Sequence, residues 1–305
     1  MTTPHGDPFG ALSPDAAADA RAVAAELAAA LGPAGRLGVA FSGGVDSAAL
    51  LAVAARALGR GRVVALLGVS PSLASDERAI AHRVAAEAGA SLVEVETREG
   101  EVPAYRANDA DRCYHCKNEL FTRISGEAVA EQALDAVAYG ENADDAVAPD
   151  RPGARAASEH RVLRPLAAAG LGKGRVRALA RAFGLSVADK PAAPCLASRI
   201  PHGQEVTPAK LRQIEDAERA LRVLGFSDCR VRHHGSVARL EVPAGELGRF
   251  GDEAVREEAL RAIRAAGFSY VAVDLAGLQS GAFTLQVMGR ASGGTGGRPE
   301  AGRRG

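Results

Sequence analysis

The stretch that decides the fold runs from Leu37 to Leu58 and reads LGVAFSGGVDSAALLAVAARAL. Its apolar run Leu37–Phe41 is typical of a buried parallel strand, and the alanine- and leucine-rich run after Ser47 predicts a helix. SGGVDS, residues 42–47, joins the two. Its glycines let the backbone approach a phosphate closely, and the N-terminus of the following helix aims free N–H groups at it. The stretch therefore predicts an anion site within an α/β domain.

The side chains of this loop agree with a phosphate as the bound anion. Ser42 and Ser47 offer hydroxyl donors. Asp46 would repel a bare phosphate, so we expect its carboxylate to face Mg²⁺ or the backbone. The pattern G-x-x-x-x-G-K-[ST] of ordinary P-loop NTPases is absent from the sequence. We interpret the loop as an anion site and keep a glycine-rich turn without a ligand as the alternative. The residues concerned are Ser42, Gly43, Gly44, Asp46 and Ser47.

Predicted strands and helices alternate beyond this loop. Further strands are predicted at Val63–Val69, Ser91–Thr97 and Ala136–Gly140. Helices are predicted between them, including one that begins at Ser75 and one near Lys117–Glu131. Strands that alternate with helices predict a doubly wound parallel sheet of the α/β class.

The pattern changes after residue 203, which predicts a smaller C-terminal α+β domain. The elements expected there are a helix from Thr207 to Leu224, strands Cys229–His233 and Ala238–Val242, a helix Glu253–Ala266 and a strand Tyr270–Leu275. We place the domains at 15–203 and 204–290, with the change in the loop around Pro201-His202-Gly203. Segment 1–14 is rich in Pro and Gly and segment 291–305 in Gly and Arg, and both are expected to be disordered tails.

The composition excludes some classes of protein. The 305 residues carry 37 Lys+Arg against 37 Asp+Glu, so the formal net charge is zero. A neutral chain is not a nucleic-acid binder held by phosphate contacts alone. The sequence shows no signal peptide pattern and no apolar run of about 18 residues. We therefore expect a cytoplasmic protein without a membrane partner.

The four cysteines do not predict a disulfide framework, because a chain without an export signal meets a reducing environment. Cys113 and Cys116 form a C-x-x-C motif, which suits a redox dithiol, half of a zinc site or part of an iron–sulfur site. Cys195 lies in the Pro-rich segment KPAAPCLASR. Cys229 lies in a strand-like run and is interpreted as a bystander.

The motifs resemble a known family. SGGVDS resembles the PP-loop of the ATP pyrophosphatases, which cleave ATP between its α- and β-phosphates and adenylate a substrate oxygen. A resemblance over most of the chain, more specific in its later segments, is to the LarE-type ATP-dependent sulfur transferases. The segments that carry it are SGGVDS, Cys113–Lys117, Asn142–Asp145, Cys195–Pro201, the helix with Glu218, Arg230–His234 and Ala238–Glu241.

The resemblance implies a reaction. ATP with Mg²⁺ adenylates a carboxylate of pyridinium-3,5-biscarboxylic acid mononucleotide, and a sulfur nucleophile displaces AMP to leave a thiocarboxylate. The product serves the nickel-pincer nucleotide cofactor of lactate racemase. In family members with three cysteines, the residues matching Cys113, Cys116 and Cys195 hold a [4Fe-4S] cluster that passes on sulfide. In members with one, the cysteine matching Cys195 gives up its own sulfur. The presence of all three favours the cluster here and leaves sacrifice of Cys195 as the alternative.

The resemblance also implies individual roles. Cys195 and Glu218 would be catalytic, and Asp46 would bind Mg²⁺, with Asp144 and Asp145 as further residues that orient Mg²⁺ or the nucleotide. The substrate and its phosphate would be bound by Ser198, Arg199, Arg230 and Arg232. One departure stands out, because Arg249 lies near the position where family members can carry an acidic residue. That site stays unassigned.

Three other functions remain open at this point. A tRNA-thiolating PP-loop enzyme would share the loop and the cysteines but needs a basic surface, which zero net charge disfavours. A non-catalytic nucleotide-binding module would use Cys113 and Cys116 in a structural zinc site. An ammonia-using synthetase would need no sulfur carrier. If the chain is a LarE-type sulfur transferase, we expect a small nucleotide substrate, no nucleic-acid partner and a homo-oligomer.

Overall fold

The computed structural model of the chain describes residues 7–147 and 152–278. The chain divides into two compact units. Unit 1 comprises the chain up to Arg106 together with Asp111–Cys195, and unit 2 comprises Ala107–Ala110 together with the chain from Leu196 onward. The change of unit therefore falls directly after Cys195, eight residues before the end of the predicted first domain. Buried Asn108 explains why residues 107–110 join unit 2, because its amide donates to the carbonyls of Ile200, Pro201 and Gln204.

Unit 1 is built on a parallel sheet, as the alternating pattern predicts. Its strands are β1 (Leu37–Ala40), β2 (Val63–Val69), β3 (Ser91–Glu96) and β4 (Ala136–Tyr139). The spatial order is β3-β2-β1-β4, and each neighbouring pair is parallel. The order reverses direction between β1 and β4, so the carboxyl end of β1 lies at a topological switch point. Ligands of open α/β sheets bind at such a point.

Helices alternate with these strands. In unit 1 they are α1 (Pro14–Leu31), α2 (Val45–Leu58), α3 (Ser75–Ala88), α4 (Pro103–Ala107), α5 (Arg112–Arg123), α6 (Val129–Glu131), α7 (Ala143–Val147), α8 (Pro152–Glu159), α9 (Pro165–Ala168) and α10 (Lys173–Ala182). Alanine dominates α1 and α2, and its small side chain lets the buried faces of α2 pack closely against the sheet.

Two expectations for unit 1 need correction. Helix α5 begins at Arg112 and not near Lys117, so Cys113 and Cys116 lie in its first turns and not in a loop before it. A π-helical segment, Ile124–Ala128, continues α5 into α6. The segment expected to be a loose N-terminal tail includes Phe9, which is buried and makes an edge contact with the ring of Phe183. The tail expected at 291–305 lies outside the described residues.

Unit 2 has its own core. It contains α11 (Pro208–Val223), β5 (Arg230–His234), β6 (Val237–Glu241), α12 (Glu253–Ala265) and β7 (Tyr270–Val273). β5 and β6 are antiparallel, whereas β6 and β7 are parallel. The hydroxyl of Thr207 caps α11 by accepting the N–H of Lys210, and Asp252 caps α12 in the same way. Apolar faces of both helices pack on the sheet.

None of the helices within residues 7–147 and 152–278 combines the length and the apolar character that crossing a membrane requires.

Candidate active site

The SGGVDS loop turns the chain from the end of β1 into α2. Gly43 has φ +71°, in the left-handed region that glycine adopts without strain. A Cβ on Gly43 would lie 3.1 Å from the Cα of Ala81 in α3, so a larger residue would also crowd this helix. Gly44 is the N-cap of α2 and, because it has no side chain, it makes no side-chain capping hydrogen bond. The first turn of α2 thus presents backbone N–H groups at the switch point, as an anion site needs.

The two serines of the loop are held in place by the backbone. The hydroxyl of Ser47 donates to the carbonyl of Gly44 at 3.0 Å and lies 3.3 Å from the hydroxyl of Ser42. Ser42 Oγ is also 3.4 Å from the N–H of Gly44. The backbone just past β4 also lies against the loop, because a Cβ on Gly140 would lie 2.5 Å from the Ser47 nitrogen. The loop is therefore shaped by the ends of β1 and β4 together.

Asp46 faces a lysine that the sequence interpretation did not include. Its carboxylate forms an ion pair with Lys173 Nζ and accepts a hydrogen bond from the Asn142 amide at 3.3 Å. Lys173 is the first residue of α10, and its backbone N–H donates to Asp144 at 2.7 Å. Only four lysines occur in the chain, so their rarity was the available signal. The ion pair brings a cation to the loop from 127 residues away in sequence.

The acidic residues after β4 serve the loop in different ways. Asn142 donates to Asp145 at 2.8 Å and accepts the Asp145 N–H, which fixes the turn into α7. The carboxylate of Asp144 accepts the backbone N–H of Lys173 at the N-terminus of α10. In the described residues no three His, Cys, Asp or Glu side chains are arranged to hold one metal ion. Mg²⁺ nevertheless fits Asp46, because this ion takes one or two carboxylates and completes its shell with phosphates and water.

The three cysteines of the proposed sulfur site all belong to unit 1. Cys113 and Cys195 are exposed, whereas Cys116 is half-buried. The charges of Cys113 and Cys195 both act on Cys116, so the sulfur atoms lie within electrostatic reach of one another. Burial raises the pKa of Cys116 well above its usual value, and Glu99 and the other two thiols add to the rise. The fold thus gathers the C-x-x-C motif and Cys195, which are separated by about 80 residues of sequence.

Two charged residues beside these thiols were not found from the sequence. Arg112 is 7% exposed, and its side chain hydrogen bonds to Cys113. Burial lowers the pKa of Arg112, but the neighbouring Cys195 and Cys113 outweigh it and the pKa is raised. Glu99 is 2% exposed and accepts a hydrogen bond from Ser70, while its charge acts on Cys116. No sequence pattern marks either residue, because their importance comes from neighbours that are distant in the chain.

The segment that carries Cys195 is anchored before it reaches the cysteine. Lys190 Nζ contacts both carboxylate oxygens of Glu77 in the first turn of α3, at 2.8 and 2.6 Å. The guanidinium of Arg177 in α10 donates to the carbonyls of Ala188 and Lys190 at 2.7 and 3.1 Å. These contacts attach residues 188–190 to two helices that also border the ATP loop.

Cys229 lies apart from this group in the core of unit 2. It is fully buried, and its thiol donates to the carbonyl of Glu218 at 3.4 Å. Burial raises its pKa to about 12. These contacts agree with its interpretation as a bystander.

In unit 2, Arg199 and Glu218 form one buried pair. The guanidinium of Arg199 donates from Nε and Nη2 to the two oxygens of Glu218 at 2.8 and 3.1 Å, and from Nη1 to the Ser198 hydroxyl at 3.0 Å. Glu218 also accepts the N–H of Val231. Both residues are less than 5% exposed. The carboxylate of Glu218 therefore orients the guanidinium of Arg199, which in turn donates to Ser198.

The two arginines of β5 have separate partners. Arg232 is buried, donates to the Ser198 carbonyl at 3.2 Å and pairs with Glu241 at 2.7 Å. Arg230 pairs with Asp228 and donates to the carbonyl of Cys229. Arg232 therefore contacts the Ser198 carbonyl, next to Arg199 in the chain, whereas Arg230 is held by Asp228 and Cys229, the two residues before it.

A parallel sheet with an SGGxDS turn at the carboxyl end of its first strand is typical of the PP-loop nucleotide-binding enzymes, and this is the class that the fold and the loop define. The Asparagine synthase family matches residues 20–223. The chain belongs, within this class, to the LarE-type family, whose members are adenylating sulfurtransferases.

Three relatives are similar to the chain, and the first of them supports the assignment. The chain is 35% identical over 260 residues to the pyridinium-3,5-bisthiocarboxylic acid mononucleotide synthase of Lactiplantibacillus plantarum, a match that covers 84% of this chain and 92% of the relative. It is 40% identical over 243 residues to an uncharacterized protein of Synechocystis sp., covering 80% and 90%. An uncharacterized protein of Methanocaldococcus jannaschii is 30% identical over 168 residues, which is 55% of this chain and 64% of that protein.

Proposed function

We propose that this enzyme converts a carboxylate of pyridinium-3,5-biscarboxylic acid mononucleotide into a thiocarboxylate, as a step toward the nickel-pincer nucleotide cofactor of lactate racemase. The substrate is suggested by the printed name of the Lactiplantibacillus plantarum relative. The observation that carries the sulfur chemistry is the grouping of Cys113, Cys116 and Cys195 in the same unit as the ATP loop. An amidating enzyme needs no sulfur carrier, and a nucleotide-binding module with a structural zinc site would use only Cys113 and Cys116 of the three thiols.

The first step is adenylation. A substrate carboxylate oxygen attacks the α-phosphorus of ATP, the bond to the β-phosphate oxygen breaks, and pyrophosphate leaves. The N–H groups at the start of α2 and the cation of Lys173 stabilise the negative charge on the phosphates. Mg²⁺ held by Asp46 would supply further charge neutralisation.

The second step forms the carbon–sulfur bond. Hydrosulfide attacks the acyl carbon, the bond to the AMP oxygen breaks, and AMP and a thiocarboxylate remain with one proton released. A [4Fe-4S] cluster on Cys113, Cys116 and Cys195 would supply an open iron that binds sulfide. The residues fit such a group, because the guanidinium of Arg112 interacts with all three thiols and offsets the negative charge of thiolates. Each thiolate of a cubane binds a different iron atom, so the thiols need not converge on one point.

Unit 2 supplies the binding of the substrate phosphate in this proposal. Ser198, Arg199, Arg230 and Arg232 offer one hydroxyl and three guanidinium groups, whose planar forks suit phosphate oxygens. Glu218 keeps Arg199 oriented. The partner is a small nucleotide and not a nucleic acid, and we propose a homo-oligomer in the cytoplasm.

The test is anaerobic turnover followed by analysis of products and protein. With ATP, Mg²⁺, the mononucleotide and sulfide, we expect pyrophosphate, AMP and a thiocarboxylate, from a brown protein with about four irons per chain. Mass spectrometry of the chain after turnover separates the two sulfur routes. An intact Cys195 supports the cluster, whereas the loss of one sulfur at Cys195 shows sacrifice. A colourless protein with one zinc, or thiolated tRNA as the product, contradicts the proposal.

The Cys195→Ala variant separates the two steps. We expect no thiocarboxylate, because a ligand of the sulfur site is lost, while pyrophosphate release continues because the ATP loop is intact. Cys229→Ala is the matched control and keeps both activities, since Cys229 lies in the core of unit 2. Thiocarboxylate formation by Cys195→Ala at the wild-type rate would show that sulfur does not pass through this residue.

A further inference from the structure

Two arginines lie directly opposite each other in the sheet of unit 2. β5 and β6 pair antiparallel, with Arg232 beside Arg239 and Arg230 beside Glu241. Alternate residues of a strand point to the same face of its sheet, so these four residues share one face. Like charges in directly opposite positions destabilise a sheet. The pair of Arg232 and Arg239 therefore needs a negative charge that compensates it.

Glu241 supplies that charge and divides its carboxylate between the two arginines. Its Oε2 atom accepts a hydrogen bond from Arg232 Nη2 at 2.7 Å, and its Oε1 atom lies 3.1 Å from Arg239 Nη2. The side chains of Glu241 and Arg232 are buried, whereas that of Arg239 is half-buried. A buried carboxylate without cations is costly. Each arginine therefore meets one oxygen of the same buried group.

Arg239 is held against Glu241 by two further contacts. Its Nη1 atom pairs with the carboxylate of Asp274, just past β7, and its Nε atom donates to His234 Nε2 at 3.3 Å. Burial lowers the pKa of His234, and the charges of Arg239 and Arg232 lower it further. The imidazole is therefore neutral at neutral pH and can accept this hydrogen bond.

We propose that Arg239 is a positioning residue for phosphate binding by Arg232, because it limits Glu241 to one oxygen on that arginine. Without Arg239, the buried carboxylate would turn both oxygens to the guanidinium of Arg232, since the bidentate pair is the stronger geometry. A phosphate binds through the same planar fork. The carboxylate would then compete with the substrate. This inference rests on the proposed function, which assigns the substrate phosphate to Arg232 and its neighbours.

The experiment measures binding by calorimetry to the reduced full-length chain, with nicotinic acid mononucleotide as the probe. This probe shares a pyridinium ring, a carboxylate and a phosphate with the proposed substrate, and the corresponding nucleoside lacks the phosphate. In Arg239→Gln we expect the Kd of the mononucleotide to rise about fivefold and the Kd of the nucleoside to stay unchanged. Arg261→Gln is the matched control and should bind both as the wild type does, because Arg261 is an exposed arginine of α12 paired with Glu258.

A double variant, Arg239→Gln with Glu241→Gln, separates positioning from support of the fold. It removes the carboxylate that would occupy Arg232, so the Kd of the mononucleotide should return to within about twofold of the wild type. A merely structural role predicts a further loss, because the double variant lacks more contacts. The proposal is overturned by an unchanged Kd in Arg239→Gln, by an equal loss for the nucleoside, or by a double variant that binds no better than Arg239→Gln.

Cys229 reports folding, since it is buried in the core of unit 2 and should not react with a thiol reagent in the folded chain. If it becomes reactive in Arg239→Gln, the variant Arg239→Lys decides, because lysine keeps a cation at Glu241. An affinity like that of the wild type with Cys229 protected supports the proposal, whereas a loss of about fivefold overturns it.

The binding measurement needs neither ATP nor sulfur, so it separates this inference from the proposed function. If the mononucleotide binds with the expected dependence on Arg239 and turnover yields no thiocarboxylate, the proposed function fails and the positioning role stands. If the wild type binds the mononucleotide no more tightly than the nucleoside, the phosphate is not recognised and the positioning role is overturned.

Discussion

The pair of Lys173 and Asp46 shows how the ATP loop is completed at the scale of single residues. Asp46 was predicted from the SGGVDS motif, since the motif is continuous in sequence. Lys173 was not, because nothing near it in the chain marks it as a phosphate ligand. The same applies to Arg112 and Glu99 beside the thiols. Motif reasoning finds residues whose spacing is local, and it misses those that reach a site through folding.

Replacing Lys173 tests its role at the loop. In Lys173→Met we expect the KM for ATP in pyrophosphate release to rise about tenfold or more, because the phosphates lose a charged hydrogen-bond donor at the loop. Lys210→Met is the control, since Lys210 bonds the Glu205 carbonyl in unit 2. An unchanged KM for ATP in Lys173→Met would assign the lysine a purely structural role.

At the scale of elements, most bounds were predicted to within one or two residues, and the start of α5 was not. β2 was predicted at Val63–Val69, and these are its observed bounds. α5 was predicted to begin near Lys117 and begins at Arg112. Its start has no side-chain cap from Asp111 and no Pro at the first position, so the signals that mark other helices are missing. Because the residues of its first turns are mostly polar, the sequence predicted a loop there.

The contact between α3 and β3 predicts a pH dependence of stability. Arg78 donates to Glu94 at 2.6 Å and His82 lies 2.8 Å from the same oxygen. The Arg78 hydrogen bond is the main cause that lowers the pKa of Glu94 from 4.5 to about 2. Because this pKa is depressed, the contribution is full above the unfolded pKa and is lost as pH falls toward about 2.

We expect Glu94→Gln to lower the free energy of unfolding at pH 6 by about 0.5–1 kcal/mol, since the contact is partly exposed. By pH 3 the difference from the wild type should shrink by more than half. Urea denaturation at the two pH values measures it. Glu96→Gln is the control on the same strand, because Glu96 is largely exposed. A difference that is equal at both pH values would contradict the assigned pKa.

At the scale of the whole molecule, the residues of the proposed chemistry are divided between two units. The ATP loop and the three thiols of the sulfur site belong to unit 1, whereas Ser198, Arg199, Arg230 and Arg232 belong to unit 2. Each unit has its own buried core. Binding of ATP and binding of the substrate phosphate should therefore respond to different substitutions.

Arg230→Gln tests this division. We expect the KM for the mononucleotide to rise about tenfold, since one charged contact to phosphate is lost, while the KM for ATP stays unchanged. Arg230 is preferred to Arg232, because removing Arg232 would leave buried Glu241 without its closest cation. Arg256→Gln, an exposed substitution in α12, is the control. An equal rise in both KM values would mean that Arg230 supports the fold rather than the substrate.

The sequence by itself determined the α/β class, the ATP loop, the order of the main elements and the family, because apolar periodicity and continuous motifs are local properties of the chain. It also named Cys113, Cys116 and Cys195 as a set. Only the tertiary structure placed Lys173 on Asp46, Glu218 on Arg199, and Arg112 and Glu99 beside the thiols. The physical reason is that charge interactions depend on distance in space, and folding brings together residues that the sequence separates.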